Sequence, residues 1–362
     1  MPAPPAPTGP PSATGPRPTA HKDQKPRSHR RRRGRLQRIL IAAGVSLVLV
    51  AGLALVAGVV LVHRYDRAVA RETLLAPSAR AEGQHAAVTG PLNFLLIGSD
   101  YRSWSPDAGQ RSDTIIMAHV PKSLDHVYLI SVPRDLRVDM PPVPSLNFAG
   151  ATAKINAAFE FGHGGPGGTQ LLSQVLTDLV GIRFDGAAVV DFVGLQRAVH
   201  VLGGVDMCVD VRTVSQHTGA VFEPGCRLMK PAEVLDYLRQ RRFPDGDFTR
   251  QRHQQQFLKA MFDRMLSRGV LANPIKMDAL VRAVAGSVVV DTGGMSLPDI
   301  VFALRHLRGD HVTGIRIPYY LDMIGNQSYV MPATEAGALF EAMRGDSLEQ
   351  WAQSNGRWVN RI

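Results

Sequence analysis

Six arginines and two aspartates carry residue types and spacings that could do chemistry. They lie in Gly98-Ser99-Asp100-Tyr101-Arg102, Arg111-Ser112-Asp113-Thr114, Ser131-Val132-Pro133-Arg134-Asp135, and Arg239-Gln240-Arg241 with Arg250. A guanidinium group presents five donors in a rigid fork that matches phosphate oxygens two at a time. Short carboxylates suit a hard divalent cation such as Mg²⁺ that bridges those oxygens. Together they describe a binding place for a pyrophosphate and its metal ion, with Asp100 and Asp113 on the metal. No His-Glu-x-x-His, Cys-x-x-Cys or Gly-x-Ser-x-Gly occurs, so zinc hydrolase and serine esterase chemistry have no support. The run His163-Gly164-Gly165-Pro166-Gly167-Gly168 lacks the Lys-Ser or Lys-Thr of a phosphate loop and reads as a flexible turn.

The elements that must position these residues follow from apolar patterning. Residues 92–98, 114–120 and 126–132 are short apolar runs bounded by Gly, Pro, Ser or Asp, as expected of core strands. Asp100 then follows one strand, Asp113 opens the next, and Arg134 with Asp135 follows a third. Loops at the carboxyl ends of sheet strands are where α/β proteins hold ligands. Helices are expected over 146–161 and 169–180, a strand over 186–191, a helix over 192–202 and a strand over 205–211. The interleaving argues for an α/β fold, a mixed α-β-α layered domain.

The arginine segment carries a geometric condition. Residues two apart point together in an extended segment and almost oppositely on a helix, so Arg239 and Arg241 converge only if the helix begun at Pro231 ends near Gln240. The turn Phe243-Pro244-Asp245-Gly246 supplies the ending. Asp247 is then expected to cap a helix reaching about residue 268. That places Arg250 in the first turn with His253 and Gln254 near its face. A cation there opposes the helix dipole unless an anion sits at that end.

Charge and hydropathy define the rest of the chain. The net charge is +10, yet residues 1–38 hold eight Arg and two Lys against Asp23, leaving the remainder near neutral. Basic charge confined to one end gives no reason to expect nucleic acid as a partner. That end is Pro-rich and then Arg-rich, too polar to bury a core. Residues 39–62 follow with no charged side chain. As a helix they would be about 36 Å long, enough to span a bilayer core of ~30 Å. The arginines before this stretch predict a cytoplasmic N-terminus and an extracellular domain, the cytoplasmic membrane being a partner. Residues 63–90 read as a stalk, 91–345 as the catalytic domain and 346–362 as a frayed polar end. Cys208 and Cys226, the only two cysteines, are expected to form a disulfide on the exported side.

As a set, in order and spacing, these phrases resemble the LytR-CpsA-Psr family of membrane-anchored cell-wall proteins. The resemblance runs from about residue 92 to 343 and includes Asn93 to Asp100, Arg111 to Thr114, Ser131 to Asp135, Lys154-Ile155-Asn156-Ala157-Ala158-Phe159, Leu202-Gly203-Gly204-Val205 and the segment from Tyr237 to Gln255. It implies transfer of a glycopolymer from a polyprenyl-pyrophosphate carrier to peptidoglycan, usually with Mg²⁺. It also implies Asp100 and Asp113 on the metal, Arg111, Arg134, Arg239, Arg241 and Arg250 on the pyrophosphate, Gln254 beside them and Asn156 near the site; the residues themselves add Arg102 on the same rim and Asp135, with Asp113, as a candidate base for the attacking hydroxyl. Relatives often carry Arg before that glutamine, where this chain has His253. The competing readings are a polyprenyl-pyrophosphate hydrolase and a non-catalytic lipid-pyrophosphate-binding regulator.

Overall fold

The computed structural model describes residues 70–82, 88–99, 112–270 and 273–362. The basic tail, the charge-free stretch 39–62, Asp100, Arg102 and Arg111 lie outside the described residues. No helix among the described residues is long and apolar enough to cross a membrane.

An eight-stranded mixed sheet organises the domain. They are β1 (Ala70–Arg71), β2 (Leu92–Ser99), β3 (Ser112–Val120), β4 (Val127–Ser131) and, after a hairpin of β5 (Arg137–Met140) with β6 (Ala151–Lys154), β7 (Gly186–Asp191). A second hairpin region holds β8 (Val205–Val209), β9 (Thr213–Val214), β10 (Val221–Phe222) and β11 (Gly225–Met229). Then come β12 (Val288–Asp291), β13 (Val312–Arg316), the hairpin β14 (Tyr319–Ile324) with β15 (Gln327–Pro332), and β16 (Val359–Asn360). The order across the sheet is β1-β12-β7-β2-β3-β4-β13-β16. Here β2 is parallel to β7, β4 is parallel to β13, and β3 runs against both β2 and β4. The carboxyl ends of β2, β7, β4 and β13 therefore meet the start of β3 along one rim.

Alternation along β3 explains the layering. Ile115 and Met117 face one core with Leu95, Ile97 and Ile130, whereas Ile116 and Ala118 face the other with Leu129. The first face is covered by the helix Gly165–Val180, whose Leu171, Leu172, Val175, Leu176 and Val180 recur at helical spacing and are buried. The second face receives the long helix Asp247–Ser267 through Leu258. A smaller core joins β8 and β11 to the helices Phe192–Val201 and Pro231–Leu238 around Tyr237, which is fully buried. The expected α-β-α layering is what the chain adopts.

Four local expectations need correction. Residues 146–161 form no single helix: β6 runs Ala151–Lys154 beside β5, and only Ala157–Phe161 is helical, because Thr152 and the Lys154–Asp135 pair favour an extended hairpin. The glycine run is no turn but the start of the Gly165–Val180 helix. There a Cβ at Gly168 would lie 2.5 Å from the Phe159 carbonyl oxygen, so the glycine permits close packing. Residues 70–82, expected in a stalk, belong to the domain: β1 pairs with β12, and Leu74, Leu75 and Ala79 are in the main core. The polar end is equally structured, with Leu348 and Trp351 buried in the helix Leu348–Ser354 and β16 paired on the sheet edge. Mean composition concealed both segments, since a few large apolar side chains suffice to dock a short element.

Candidate active site

The rim gathers charged side chains from three separate stretches of chain onto Asp113. Asp113, the second residue of β3, accepts at Oδ1 from Arg134 Nη1 at 2.9 Å and at Oδ2 from Arg241 Nη2 at 2.7 Å. Its backbone carbonyl accepts from Arg250 Nη2 at 2.8 Å. Arg134 follows the end of β4, Arg241 lies between two helices, and Arg250 is in the first turns of the Asp247–Ser267 helix. Burial by itself would raise the Asp113 carboxyl, but the charges of Arg241, Arg250 and Arg134 outweigh it and hold it below the usual carboxylate range.

A second carboxylate sits among the same arginines. Asp247 Oδ1 is 2.6 Å from Arg250 Nη2 and 3.4 Å from Arg134 Nε. Asp247 opens the helix, but the cap position is Gly246 and no side chain makes a cap hydrogen bond there, which corrects the expected role of Asp247. Farther out, Asp135 pairs with Lys154 Nζ at 2.8 Å and lies 3.6 Å from Arg134 Nε. Asn156 is buried just past β6, and its backbone N–H donates to the Arg134 carbonyl at 3.2 Å.

What distinguishes the cluster is unmet hydrogen-bonding capacity. Arg134 Nε and Arg250 Nε are buried donors without a hydrogen-bond partner, and Ser112 Oγ is likewise unmatched. Ion-pair distances of 3.4 and 3.6 Å are too long to satisfy Arg134 Nε. A buried donor left unpaired costs about 1–3 kcal/mol, more when charged. Arg250 is only 3% exposed, and burial draws its guanidinium below its ordinary value, with Asp247 opposing. A guanidinium still keeps its proton at any pH the protein meets. Such a grouping awaits an oxyanion.

Arg239 goes elsewhere. The helix Pro231–Leu238 ends as required and Arg239 is its C-cap, yet its guanidinium lies over the Phe192 ring, 5.5 Å from the centroid. Phe192 follows the end of β7, so Arg239 remains on the rim without reaching Asp113. Gln254 is half-buried, and among the described residues its side chain makes no hydrogen bond or ion pair. Asp100, Arg102 and Arg111 cannot be placed, being outside the described residues.

Two residues that sequence reasoning missed hold the cluster in position. Gln255 is fully buried, and its amide donates to the Leu129 carbonyl at 2.7 Å, Ser131 Oγ at 2.8 Å and the Ile315 carbonyl at 2.9 Å, while its oxygen accepts from Asn360 Nδ2 at 2.7 Å. It pins the helix to β4 and β13. The close approach needs Gly314, where a Cβ would lie 2.3 Å from Gln255 Oε1. Gln240, between the two arginines, donates to Ser215 Oγ at 3.0 Å and Asp236 Oδ1 at 2.8 Å and fixes where the helix stops. The signal for both was a Gln amid strong helix and turn signals, which sequence alone does not separate from a surface residue.

His253 also has a structural task. It stacks on Tyr237 at 4.5 Å, shares a 3.0 Å hydrogen bond with Tyr237 Oη, and lies 3.1 Å from Asp210 Oδ1. It clamps the helix Pro231–Leu238, which precedes Arg241, to the helix that bears Arg250. Cys208 and Cys226 form a disulfide between paired positions of β8 and β11.

Comparison with known proteins decides the family. The LytR_cpsA_psr family model matches residues 59–345. The chain belongs to the LytR_cpsA_psr family. It is 30% identical over 276 residues to the probable cell wall biosynthesis protein LcpB of Corynebacterium glutamicum, a match covering 71% of this chain and 62% of the relative. Among solved structures, B. subtilis TagV superposes with a TM-score of 0.59 at 24% identity, covering 72% of this chain and 98% of TagV. TagT bound to LI-WTA gives a TM-score of 0.57 at 18% identity over 75% of this chain and 98% of that one. These structures share the fold.

Proposed function

We propose that this chain is a phosphotransferase that moves a glycopolymer from a polyprenyl-pyrophosphate carrier onto peptidoglycan. The observation that carries the proposal is the convergence of Arg134, Arg241 and Arg250 on Asp113 with two buried guanidinium Nε donors unpaired. A pyrophosphate offers the oxygens those donors lack. The relative named for cell wall biosynthesis and the structure of TagT bound to LI-WTA support the choice of substrate class.

In the reaction, a hydroxyl oxygen of the wall acceptor bonds to the phosphorus nearest the glycan. The bond from that phosphorus to the bridging oxygen breaks, and polyprenyl phosphate leaves with the electron pair. The hydroxyl proton passes to a base or to solvent, and a phosphodiester links glycan to wall. Phosphoryl transfer demands mainly positioning and charge neutralisation. Arg134, Arg241 and Arg250 together would neutralise the transferred group and the leaving phosphate. Asp113, with its carboxyl held low, is poorly suited to accept the proton.

Asp113 together with Asp100 would hold Mg²⁺, which supplies further neutralisation of the phosphate oxygens. The fit is reasonable: each Asp113 oxygen keeps a lone pair beyond the one used by an arginine. Among the described residues no group of three or more His, Cys, Asp or Glu gathers as a metal site. The domain is proposed to lie outside the cytoplasmic membrane, anchored by residues 39–62, and the disulfide agrees with an oxidising compartment.

The test uses the full chain in nanodiscs with a labelled lipid-pyrophosphate-linked glycan, with and without peptidoglycan, in Mg²⁺ or EDTA. Glycan appearing on peptidoglycan together with polyprenyl phosphate, in Mg²⁺ only, is the expected result. Release of polyprenyl phosphate without peptidoglycan would establish hydrolysis instead, and binding without release would establish a receptor.

A further inference from the structure

Beside the arginine cluster, on the opposite side of the same helix end, lies a second basic concavity that the proposed reaction has not used. It is a cavity of about 210 Å³ lined by Phe248 and Arg252 of the helix Asp247–Ser267, by Asp245 before it, by Arg316 at the end of β13, and by Asn360 and Arg361 at the sheet edge. Arg316 pairs in register with Ser131 of β4, three residues before Arg134, so this cavity opens on the rim one strand away from the Asp113 cluster. Residues 248 and 250 point to opposite sides of a helix, which keeps the cavity and the Arg250 site apart.

Charge around the cavity is unbalanced. Three guanidinium groups line it against two carboxylates, Asp245, which already accepts from Thr249, and Asp210 just outside it. Arg252 is held by Asp210, and Arg316 donates Nη2 to the Arg357 carbonyl at 2.8 Å while its Nε is buried without a partner. Arg361 is exposed and makes no hydrogen bond or ion pair among the described residues. One wall is aromatic and rigid: Phe248 stacks on Tyr319 with centroids 3.7 Å apart, and Tyr319 meets Trp358 edge-on at 5.8 Å. Arg316 itself lies over Trp358 at 5.8 Å, which fixes its plane.

Size limits the occupant. At about 30 Å³ per water the cavity holds roughly seven waters, and it is smaller than the ~300 Å³ at which whole small-ligand pockets begin. It suits one charged substituent of a larger molecule. We infer that this cavity is an oxyanion subsite that grips a carboxylate or phosphate borne by one of the two polymers joined at the neighbouring Asp113 cluster. The inference rests on the proposed transfer reaction for the identity of those polymers. Peptidoglycan stems carry carboxylates, and an anionic donor glycan would carry carboxylates or phosphates, so the chemistry is shared and the source is decided by experiment.

The full chain in nanodiscs is titrated with a soluble disaccharide-peptide fragment of peptidoglycan, with the same fragment amidated at its carboxyls, and with the lipid-linked glycan donor. Wild type is compared with Arg361→Gln and with Arg316→Gln, Arg361→Gln combined. Binding of a short prenyl pyrophosphate serves as the control that the fold and the Asp113 cluster are intact, and Arg361→Gln, at an exposed position, keeps the test decisive if the double variant misfolds. Loss of one charged hydrogen bond corresponds to about tenfold or more in affinity. A loss of that size for the fragment, reproduced in wild type by amidation, assigns the subsite to the acceptor; the same loss for the donor alone assigns it to the donor polymer. Unchanged binding of both probes in both variants overturns the inference. If wild type binds the probes yet transfers nothing, the transfer reading fails while the subsite stands.

Discussion

Two sides of the same helix show opposite uses of polar side chains. On one side Gln255 spends its entire amide on the sheet, with three acceptors and one donor matched at 2.7–2.9 Å. On the other side Arg250 is equally buried, but while its Nη2 pairs with Asp247 Oδ1 at 2.6 Å its Nε is left without a partner. Full satisfaction makes a polar residue a rivet; incomplete satisfaction makes it a socket. The two sit five residues apart on one helix, so the same element separates a residue that stabilises from one that binds.

The sharpest way to break this contrast is to remove a socket residue. Arg250→Ala should lower transfer by about 10²–10³-fold, the usual loss when one preorganised donor is deleted. Arg250→Lys should recover only a small part of it, because an ammonium lacks the planar fork. Single-turnover transfer with the folded variant checks both, and near-wild-type rates would show the cluster to be merely structural.

Removing the rivet should act on stability instead. Gln255→Leu strands Asn360 Nδ2 and Ser131 Oγ in a buried place, for a loss of about 3 kcal/mol. At this chain length that corresponds to a melting temperature lower by roughly 4–6 °C. Calorimetry checks it, and the variant, assayed well below its transition, should retain most of the activity that Arg250→Ala loses.

Reduction of Cys208–Cys226 opens a short loop and should cost about 3 kcal/mol in the chain-entropy account. The bond lies in the β8–β11 hairpin and not on the rim. Denaturant midpoints should therefore fall with dithiothreitol while prenyl pyrophosphate affinity, measured in folded protein, stays the same.

The smallest effect belongs to the clamp. Asp210 is held down to about 2 from 3.8, first by the hydrogen bond from His253, with burial opposing and the charges of His253 and Arg252 adding. A carboxyl with a depressed folded pKa contributes stability above its unfolded value and loses it as pH falls through the folded one. The stability advantage of wild type over Asp210→Asn should thus be level above pH of about 4 and shrink towards pH of about 2. A gap that does not narrow would show that Asp210 is not coupled to the clamp.

Much of this architecture was legible in the chain because its physics is local. The apolar runs at 92–98, 114–120 and 186–191 declared strands, and Pro231 with the Phe243–Gly246 turn declared where the arginine helix had to stop. Asp113, Arg134, Arg241 and Arg250 could be grouped beforehand because their residue types share one chemistry. What escaped depends on tertiary contacts between distant positions. Arg239 was drawn to the Phe192 face, Gln255 to the Leu129 carbonyl and Ser131 hydroxyl more than a hundred residues upstream, and the 151–154 segment into a hairpin with β5. Leu74, Leu75 and Trp351 dock short segments whose average polarity hid them.

The central claim is tested most directly by titrating the full chain in nanodiscs with a short prenyl pyrophosphate in Mg²⁺, comparing wild type, Arg250→Ala and Gln255→Leu at a temperature where all three are folded. The account predicts an affinity at least about tenfold weaker for Arg250→Ala and within about threefold of wild type for Gln255→Leu. Equal affinity in wild type and Arg250→Ala would contradict it.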